Sequence, residues 1–217
     1  MAYVLVVSIL VALSVLAVFL SRRFFSADAR AQRDLNKYLR SDLSFVEVGR
    51  LYERYIGHLY EKEGYDVVYN GALRGISDLG RDLVVGCVDE VFVIQVKCWA
   101  KYKEIKEKHI FELFGTTTHF KLTSEGAGRS VKAVFYTTAR YSDGAKHVAK
   151  VLGVDLKTER LDRFYPMIKC SISADGKKLY YLPFDVNYDK IKINLHRDEL
   201  FAQTVKEAVG KGFKRAG

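Results

Sequence analysis

Three polar residues in the middle of the chain have the types and spacing to hydrolyse a phosphodiester bond. Asp82 precedes a short apolar run, and Gln95 and Lys97 lie two positions apart near the end of a second run. Because side chains alternate along a strand, Gln95 and Lys97 would share one face and Val96 the other. Carboxylate and amide oxygens can ligate Mg²⁺, which polarises a phosphate and activates water, and a lysine can offset the developing negative charge. The spacing therefore predicts metal-assisted phosphodiester chemistry on a strand hairpin.

Each candidate residue also has an ordinary structural interpretation. Asp82 could cap a turn, Asp78 could belong to an Asx-turn, and Lys97 could protect an edge strand from aggregation. Glu53 could be a solvated residue on a helix surface. Gln95 is harder to explain in this way, because an amide within the apolar run VFVIQVK needs hydrogen-bond partners. Each residue alone is weak evidence, and the joint pattern favours a site.

The elements that must position these residues can be predicted from periodicity and capping. Ser44 and Glu47 form a capping box before a helix over residues 45–63, which Gly64 would end. Residues 72–80 are predicted to be a loop. The remaining predicted elements are strands over 65–69, 82–85, 91–97 and 131–137, and helices over 105–121 and 142–152. This order, α-β-β-β-α-β-α, predicts an α/β (α+β) fold with a mixed central sheet flanked by helices.

The C-terminal part of the chain has a different sequence pattern from the part that precedes it. Two β-rich segments, MIKCSI and KKLYYLPF, surround Asp175-Gly176, which is a turn signal for a hairpin. A helix over residues 197–209 and a basic tail are predicted to follow. This part is expected to be either an accessory binding element or an extension of the sheet.

The N-terminus holds a long apolar run without charge, AYVLVVSILVALSVLAVFL over residues 2–20. As a helix it would be about 28 Å long, close to a bilayer core of roughly 30 Å. A cleaved signal peptide is the main alternative, but it should have positive residues before the apolar run. Here the arginines follow the run, so the sequence predicts a single-pass anchor in the inner (cytoplasmic) membrane with the C-terminal domain in the cytoplasm.

The composition limits which binding partners and which kinds of disulfide or metal site can be expected. The formal net charge of +9 and the pI of about 9.3 indicate a polyanionic partner, either nucleic acid or an anionic membrane surface. The three cysteines are scattered and form no C-x-x-C pair, which argues against a disulfide framework and against a structural zinc site.

The motifs together resemble a known family. Tyr52-Glu53, Gly64-Tyr65, Asp78-Leu79-Gly80-Arg81-Asp82, and Gln95-Val96-Lys97 with Trp99 nearby are similar to the Mrr-type restriction endonuclease domain, a branch of the PD-(D/E)XK nuclease superfamily. The resemblance covers about residues 44–157. Gln95 departs from the Asp or Glu of the wider superfamily, but this branch is expected to have glutamine there.

The resemblance implies a role for each residue of the motif. Asp82 would be the principal metal ligand, with Gln95 in the second acidic position. Lys97 would be the catalytic lysine, and Glu53 would be the helix carboxylate that completes the metal site. Asp78 would be auxiliary. The implied metal is Mg²⁺, with Mn²⁺ as a substitute.

The resemblance also implies a function and partners. The chain would be a membrane-anchored, metal-dependent DNA endonuclease, similar to type IV restriction enzymes, that cuts foreign or modified DNA. A role of the nuclease in DNA processing or repair is the other interpretation. Its partners would be DNA, the membrane and a second copy in a homodimer. The alternative is a catalytically inactive, membrane-tethered nucleic-acid-binding protein. Predicted DNA contacts are Asp78, Trp99, Lys101 and Lys103, although Trp99 could belong to the core and the lysines to a solvated helix face.

These predictions divide the chain into four segments. Residues 1–21 would be the transmembrane anchor and residues 22–43 a basic juxtamembrane helix or linker. Residues 44–160 would form the endonuclease domain, and residues 161–217 the C-terminal hairpin and helix.

Overall fold

Three β-sheets, of five, four and two strands, and five α-helices make up the part of the chain that the computed structural model describes, residues 27–71 and 80–216. Two short 3₁₀ helices, Tyr188–Lys190 and Leu195–Arg197, lie between the last strands. The helices are α1 (residues 27–40), α2 (Phe45–Lys62), α3 (Glu107–Lys121), α4 (Asp143–Leu152) and α5 (Val205–Gly210). The strands are β1 (Asp66–Tyr69), β2 (Leu83–Gly86), β3 (Glu90–Lys97), β4 (Glu104–Ile105), β5 (Ser130–Thr137), β6 (Arg140–Tyr141), β7 (Val154–Thr158), β8 (Ile168–Ile172), β9 (Lys178–Tyr181), β10 (Leu200–Ala202) and β11 (Lys214–Arg215). The predicted loop over residues 72–80 lies, apart from Gly80, outside the described residues.

Helix α2 begins and ends where its capping residues predict. The Ser44 hydroxyl accepts from the Glu47 N–H at 3.3 Å, and the Glu47 carboxylate accepts from the Ser44 N–H at 2.8 Å. These reciprocal bonds satisfy donors that a helix start leaves open. After Lys62 the chain turns at Gly64, whose φ of 86° is readily adopted only by glycine. The predicted capping box and helix are confirmed.

The first sheet is mixed, as predicted. Its strand order is β1-β2-β3-β5-β7. Strands β1, β2 and β3 form an antiparallel meander, whereas β3, β5 and β7 are parallel. Parallel neighbours need crossover connections, and α3 and α4 supply them. The strand β7, immediately after Gly153, is absent from the order of elements predicted from periodicity, although the family resemblance implies a strand after this helix.

Alternation along β3 places its side chains in two different cores. Val91 and Val93 pack in the core that α3 and α4 cover, whereas Ile94 and Val96 pack in the core that includes Tyr52 of α2. Gln95 follows the same alternation as Val91 and Val93. It therefore belongs to the α3 side of the sheet, and β3 presents Lys97 on that side too.

The second sheet corrects the predicted C-terminal helix. Its strand order is β10-β8-β9-β11, and β8 and β9 form the predicted hairpin with Gly176 in the turn. The helix predicted over residues 197–209 is wrong, because Leu200–Ala202 pairs with β8 as strand β10. A helix begins only after Thr204, whose hydroxyl accepts from the Glu207 N–H at 3.1 Å. Pairing with a neighbouring strand overrides the local helical periodicity of this segment.

Helix α1 packs against this second sheet. Ala31 and Leu35 are buried in the C-terminal core. The Asp28 carboxylate accepts from the Tyr180 hydroxyl at 2.8 Å, and the Gln32 amide oxygen accepts from the Val205 N–H at 2.7 Å. Residues 27–40, predicted as a basic helix or linker, are thus an integral part of the C-terminal unit, which consists of α1, the second sheet and the segments packed on it. The four-segment division of the chain remains a prediction.

No helix within residues 27–71 and 80–216 is long and apolar enough to cross a bilayer. The prediction of a single-pass protein of the cytoplasmic membrane is corrected on this finding. The apolar run over residues 2–20, on which that prediction depended, lies outside the described residues.

The junction between α2 and the C-terminal unit contains a histidine that makes stability depend on pH. His58 is 3% exposed and packs edge-on against Phe201 at a ring distance of 4.5 Å. Burial, with a smaller effect of Lys62 and Lys169, lowers the pKa of His58 from 6.5 to about 4. The unfolded chain therefore binds a proton at a higher pH than the folded chain does. The stability from this residue is present above the ordinary pKa and is lost as pH falls towards the lowered value.

We expect His58→Phe to remove part of the acid sensitivity of folding. Between about pH 7 and about pH 5, the intact chain should lose roughly 2 kcal/mol of unfolding free energy through this histidine. Phenylalanine keeps an aromatic ring there but cannot take up a proton. Urea unfolding of both chains at the two pH values measures the difference. An equal loss in both chains would contradict the prediction.

Candidate active site

The backbone and carboxylate of Asp82 bind β3 on both sides of Gln95. The Asp82 N–H donates to the Ile94 carbonyl at 3.0 Å, and the Val96 N–H donates to Asp82 Oδ2 at 2.7 Å. A carboxylate that accepts a backbone N–H is held in one orientation. The two short polar motifs of the sequence are thereby brought together at one point of the sheet.

Gln95 is buried at this point, with 4% of its surface exposed. Within the described residues, its amide oxygen has no hydrogen-bond partner. A buried polar atom without a partner is costly, and such an atom in a site of this kind is available to a ligand. Gly80 lies close by, with a φ of 74°, and a Cβ at that position would be 3.4 Å from Gln95 Nε2. Glycine in the DLGRD motif therefore permits the left-handed backbone turn, and a Cβ there would be in ordinary van der Waals contact with the amide.

Glu53, on α2, lies next to Gly71. A Cβ on Gly71 would be 2.8 Å from Glu53 Oε2, so the carboxylate lies against the backbone of that residue. The Gly71 N–H in turn donates to the Asp82 carbonyl at 3.3 Å. Gly71 thus contacts both the Glu53 carboxylate and the backbone of Asp82. A side chain in place of Gly71 would displace the Glu53 carboxylate.

Lys97 ends β3 and is half-buried. Its carbonyl accepts from the Thr137 hydroxyl at 2.8 Å and from the Thr138 N–H at 3.3 Å. These bonds fix the backbone from which the lysine side chain extends. These threonines are not among the predicted site residues. The signal that could have found them is the Thr-Thr pair that ends a β-rich run, because parallel strands end at the same edge of a sheet.

The predicted DNA contacts differ in their surroundings. Trp99 is half-buried against the core and lies edge-on to His109 at 5.2 Å, in agreement with its alternative interpretation as a packing residue. Lys101 and Lys103 are exposed, and Lys103 Nζ lies 5.5 Å from the centre of the Trp99 ring. Asp78 lies outside the described residues.

The donors near Asp82 suit a hard cation better than zinc. Across residues 27–71 and 80–216, no three His, Cys, Asp or Glu side chains gather where they could hold a metal ion. The oxygen donors at β3 are the Asp82 carboxylate and the amide oxygen of Gln95, and the Glu53 carboxylate lies against Gly71. Such a set of oxygen donors fits Mg²⁺, which keeps several waters and needs only one or two carboxylates.

The mixed sheet, its flanking helices and the paired polar motifs have the architecture of a restriction endonuclease core. The chain belongs to the restriction endonuclease family Mrr_cat, whose family model matches residues 48–161. This match confirms the resemblance drawn from the motifs. No curated protein matches the chain.

Two solved structures are similar to parts of the chain. One is AF1548, a protein of unknown function, with a TM-score of 0.36 and 21% identity over 50% of this chain and 58% of that one. The other is the MspJI restriction endonuclease in complex with a 27-mer oligonucleotide, with a TM-score of 0.37 and 18% identity over 61% of this chain and 29% of that one. The chain therefore spans little more than half of the first protein and less than a third of the second.

Proposed function

We propose that this chain is a metal-dependent endonuclease that hydrolyses phosphodiester bonds in DNA. The observation that carries the proposal is the bond from the Val96 N–H to the Asp82 carboxylate, which fixes that carboxylate beside Gln95 and Lys97 on β3. Membership of a restriction endonuclease family supports the same reaction class. The basic charge of the chain favours a polyanionic substrate.

In this proposal Asp82, Gln95 and Glu53 would hold Mg²⁺, or Mn²⁺ as a substitute. Such an ion would supply an activated water and polarisation of the phosphate. The amide oxygen of Gln95 contributes no charge, so the two carboxylates provide the electrostatic attraction. The buried oxygen of Gln95 without a partner among the described residues supports its assignment as a ligand.

Lys97 acts on the phosphate rather than on the metal. The backbone bonds to Thr137 and Thr138 hold the end of β3, so the ammonium group can be directed at the charge that develops in the transition state. Lys101 and Lys103 contact phosphates, and Trp99 and Asp78 contact the DNA nearby. Residues 44–160 form the nuclease domain and residues 161–217 the C-terminal extension.

The proposed substrate is foreign or modified DNA. One site cuts one strand, so cleavage of both strands would be favoured in a homodimer.

Incubation of the full-length protein with supercoiled plasmid tests the proposal. Methylated and unmethylated plasmid are compared with Mg²⁺, with Mn²⁺ and with EDTA, and Asp82→Ala serves as the matched inactive variant. We expect nicking or linearisation with either metal, none in EDTA and none with Asp82→Ala. Binding of plasmid without cleavage in any metal would overturn the enzyme and leave the inactive nucleic-acid-binding protein.

A further inference from the structure

Tyr102 lies in a setting that points to a role in binding. Its side chain is 80% exposed, on the turn that directly follows β3. Single exposed apolar side chains are common and need no explanation by themselves. Here, however, the ring stands between two exposed lysines, Lys101 and Lys103, next to the strand that carries Gln95 and Lys97.

The turn that presents Tyr102 is fixed by hydrogen bonds at both ends. The Lys103 N–H donates to the Ala100 carbonyl at 2.9 Å, and the Trp99 carbonyl accepts from the Thr138 hydroxyl at 2.6 Å. Strand β4 then continues from the turn and pairs with β6. A turn whose backbone is already ordered loses little backbone entropy on binding. The backbone that presents the tyrosine is therefore preorganised for contact with a ligand.

The charges on this turn identify the ligand. Lys101 and Lys103 are positive, and Glu104, the nearest acidic residue in the sequence, is 2.6 Å from Lys106 Nζ and 3.8 Å from Arg140. The turn therefore keeps a positive surplus. Lysines that track phosphates together with an aromatic ring on which a base can stack are the arrangement that binds single-stranded nucleic acid. In an intact duplex each base already stacks on its neighbours.

We infer that Tyr102 is a stacking platform for an unpaired base, and that the substrate class is DNA with unpaired or unstacked nucleotides. This inference rests on the proposed nuclease function, because it places the unpaired base beside the proposed active site. Lys101 and Lys103 hold the adjacent phosphates, and the Tyr102 ring selects strands whose bases are free to leave the stack.

Binding of the full-length protein to labelled DNA in EDTA tests the inference without any cleavage. Fluorescence anisotropy compares an intact duplex, the same duplex with an internal unpaired bubble, and a single strand. We expect tighter binding to the bubble and the single strand than to the duplex. Tyr102→Ala should weaken binding to those two DNAs by about tenfold, the effect of losing one stacked base, and leave duplex binding almost unchanged. Tyr102→Trp should retain the preference.

Two control variants separate stacking from charge and from general surface effects. Lys101→Ala should weaken binding to all three DNAs alike and lower the salt dependence, since a phosphate contact does not distinguish strands. Phe164→Ala, which removes another exposed ring (60%) before β8, should change nothing. Equal affinities of the intact chain for duplex and bubble, or an equal loss with Tyr102→Ala on both, would overturn the inference. An unchanged affinity of Tyr102→Ala for all three DNAs would also overturn it.

The two proposals fail in different ways. Cleavage of plasmid with metal, together with indifference to Tyr102, would leave the nuclease and remove the substrate preference. Preference for unpaired DNA through Tyr102, together with no cleavage in any metal, would leave the binding site and remove the nuclease.

Discussion

Lys97→Ala is expected to reduce the rate of DNA cleavage by about 10²–10³-fold, the cost of removing one preorganised group that stabilises transition-state charge. The ammonium group is proposed to act on the phosphate in the transition state. Because the variant keeps Asp82, Gln95 and Glu53, metal binding should survive. The affinity for DNA should change little, because other lysines are proposed to contact the DNA phosphates. The variant should thus have a lower turnover rate and nearly the same affinity for DNA.

Single-turnover cleavage of plasmid with Mg²⁺ measures this effect, and anisotropy in EDTA measures DNA affinity. Lys150→Ala is the matched control, since this exposed lysine lies on α4, outside the proposed site. It removes the same charge and should leave cleavage unchanged. A cleavage rate for Lys97→Ala within a few-fold of the intact chain would remove Lys97 from the proposed chemistry.

Lys169→Met should destabilise the folded chain by about 3–5 kcal/mol, because it leaves one member of a buried ion pair alone. Lys169 is 1% exposed, and its Nζ lies 3.1 Å from the Glu61 carboxylate and 2.9 Å from the Ile191 carbonyl. It also lies over the rings of Tyr69 and Tyr188. Burial already raises the pKa of Glu61, and Lys169 opposes that rise. Without the lysine, Glu61 must remain charged without compensation or take up a proton.

Urea unfolding at neutral pH measures the loss. The double variant Lys169→Met with Glu61→Gln should recover part of the stability, because no charge then remains unpaired. Lys192→Met is a control across the same junction: its pair with Asp66 is 2.7 Å long but 62% exposed on both sides, so the loss should be below about 1 kcal/mol. A Lys169→Met variant as stable as Lys192→Met would show that the buried pair contributes little.

The junction that Lys169 stabilises also fixes the helix that carries Glu53. Arg54 Nε and Nη2 donate to the two Asp189 carboxylate oxygens at 2.7 and 2.6 Å, and Nη1 donates to the Pro183 carbonyl at 2.7 Å. Arg54 is the neighbour of Glu53 in the sequence. Adjacent residues on a helix point in different directions, so α2 meets the C-terminal unit with one side chain and the region of Asp82 with the other.

Local patterns in the sequence were sufficient to predict most of the helices and strands around the site. The capping box at Ser44 and Glu47 marked the start of α2, and alternation along β3 placed Gln95 and Lys97 on one face. These signals are local, because a cap and a strand period involve residues close together in the chain. The motif residues similarly led to the restriction endonuclease family before any tertiary contact was known. Their individual roles stay predictions.

The sequence alone determined the family, the mixed sheet and the residues that could carry the chemistry, whereas only the tertiary structure decided how those residues are held. The bond from Val96 to Asp82, the close approach of Glu53 to Gly71, and the buried oxygen of Gln95 all depend on segments distant in the chain. The same holds for Leu200–Ala202, which became a strand because β8 offered a partner edge. Such contacts depend on the packing of the whole chain, and no local period or propensity encodes them.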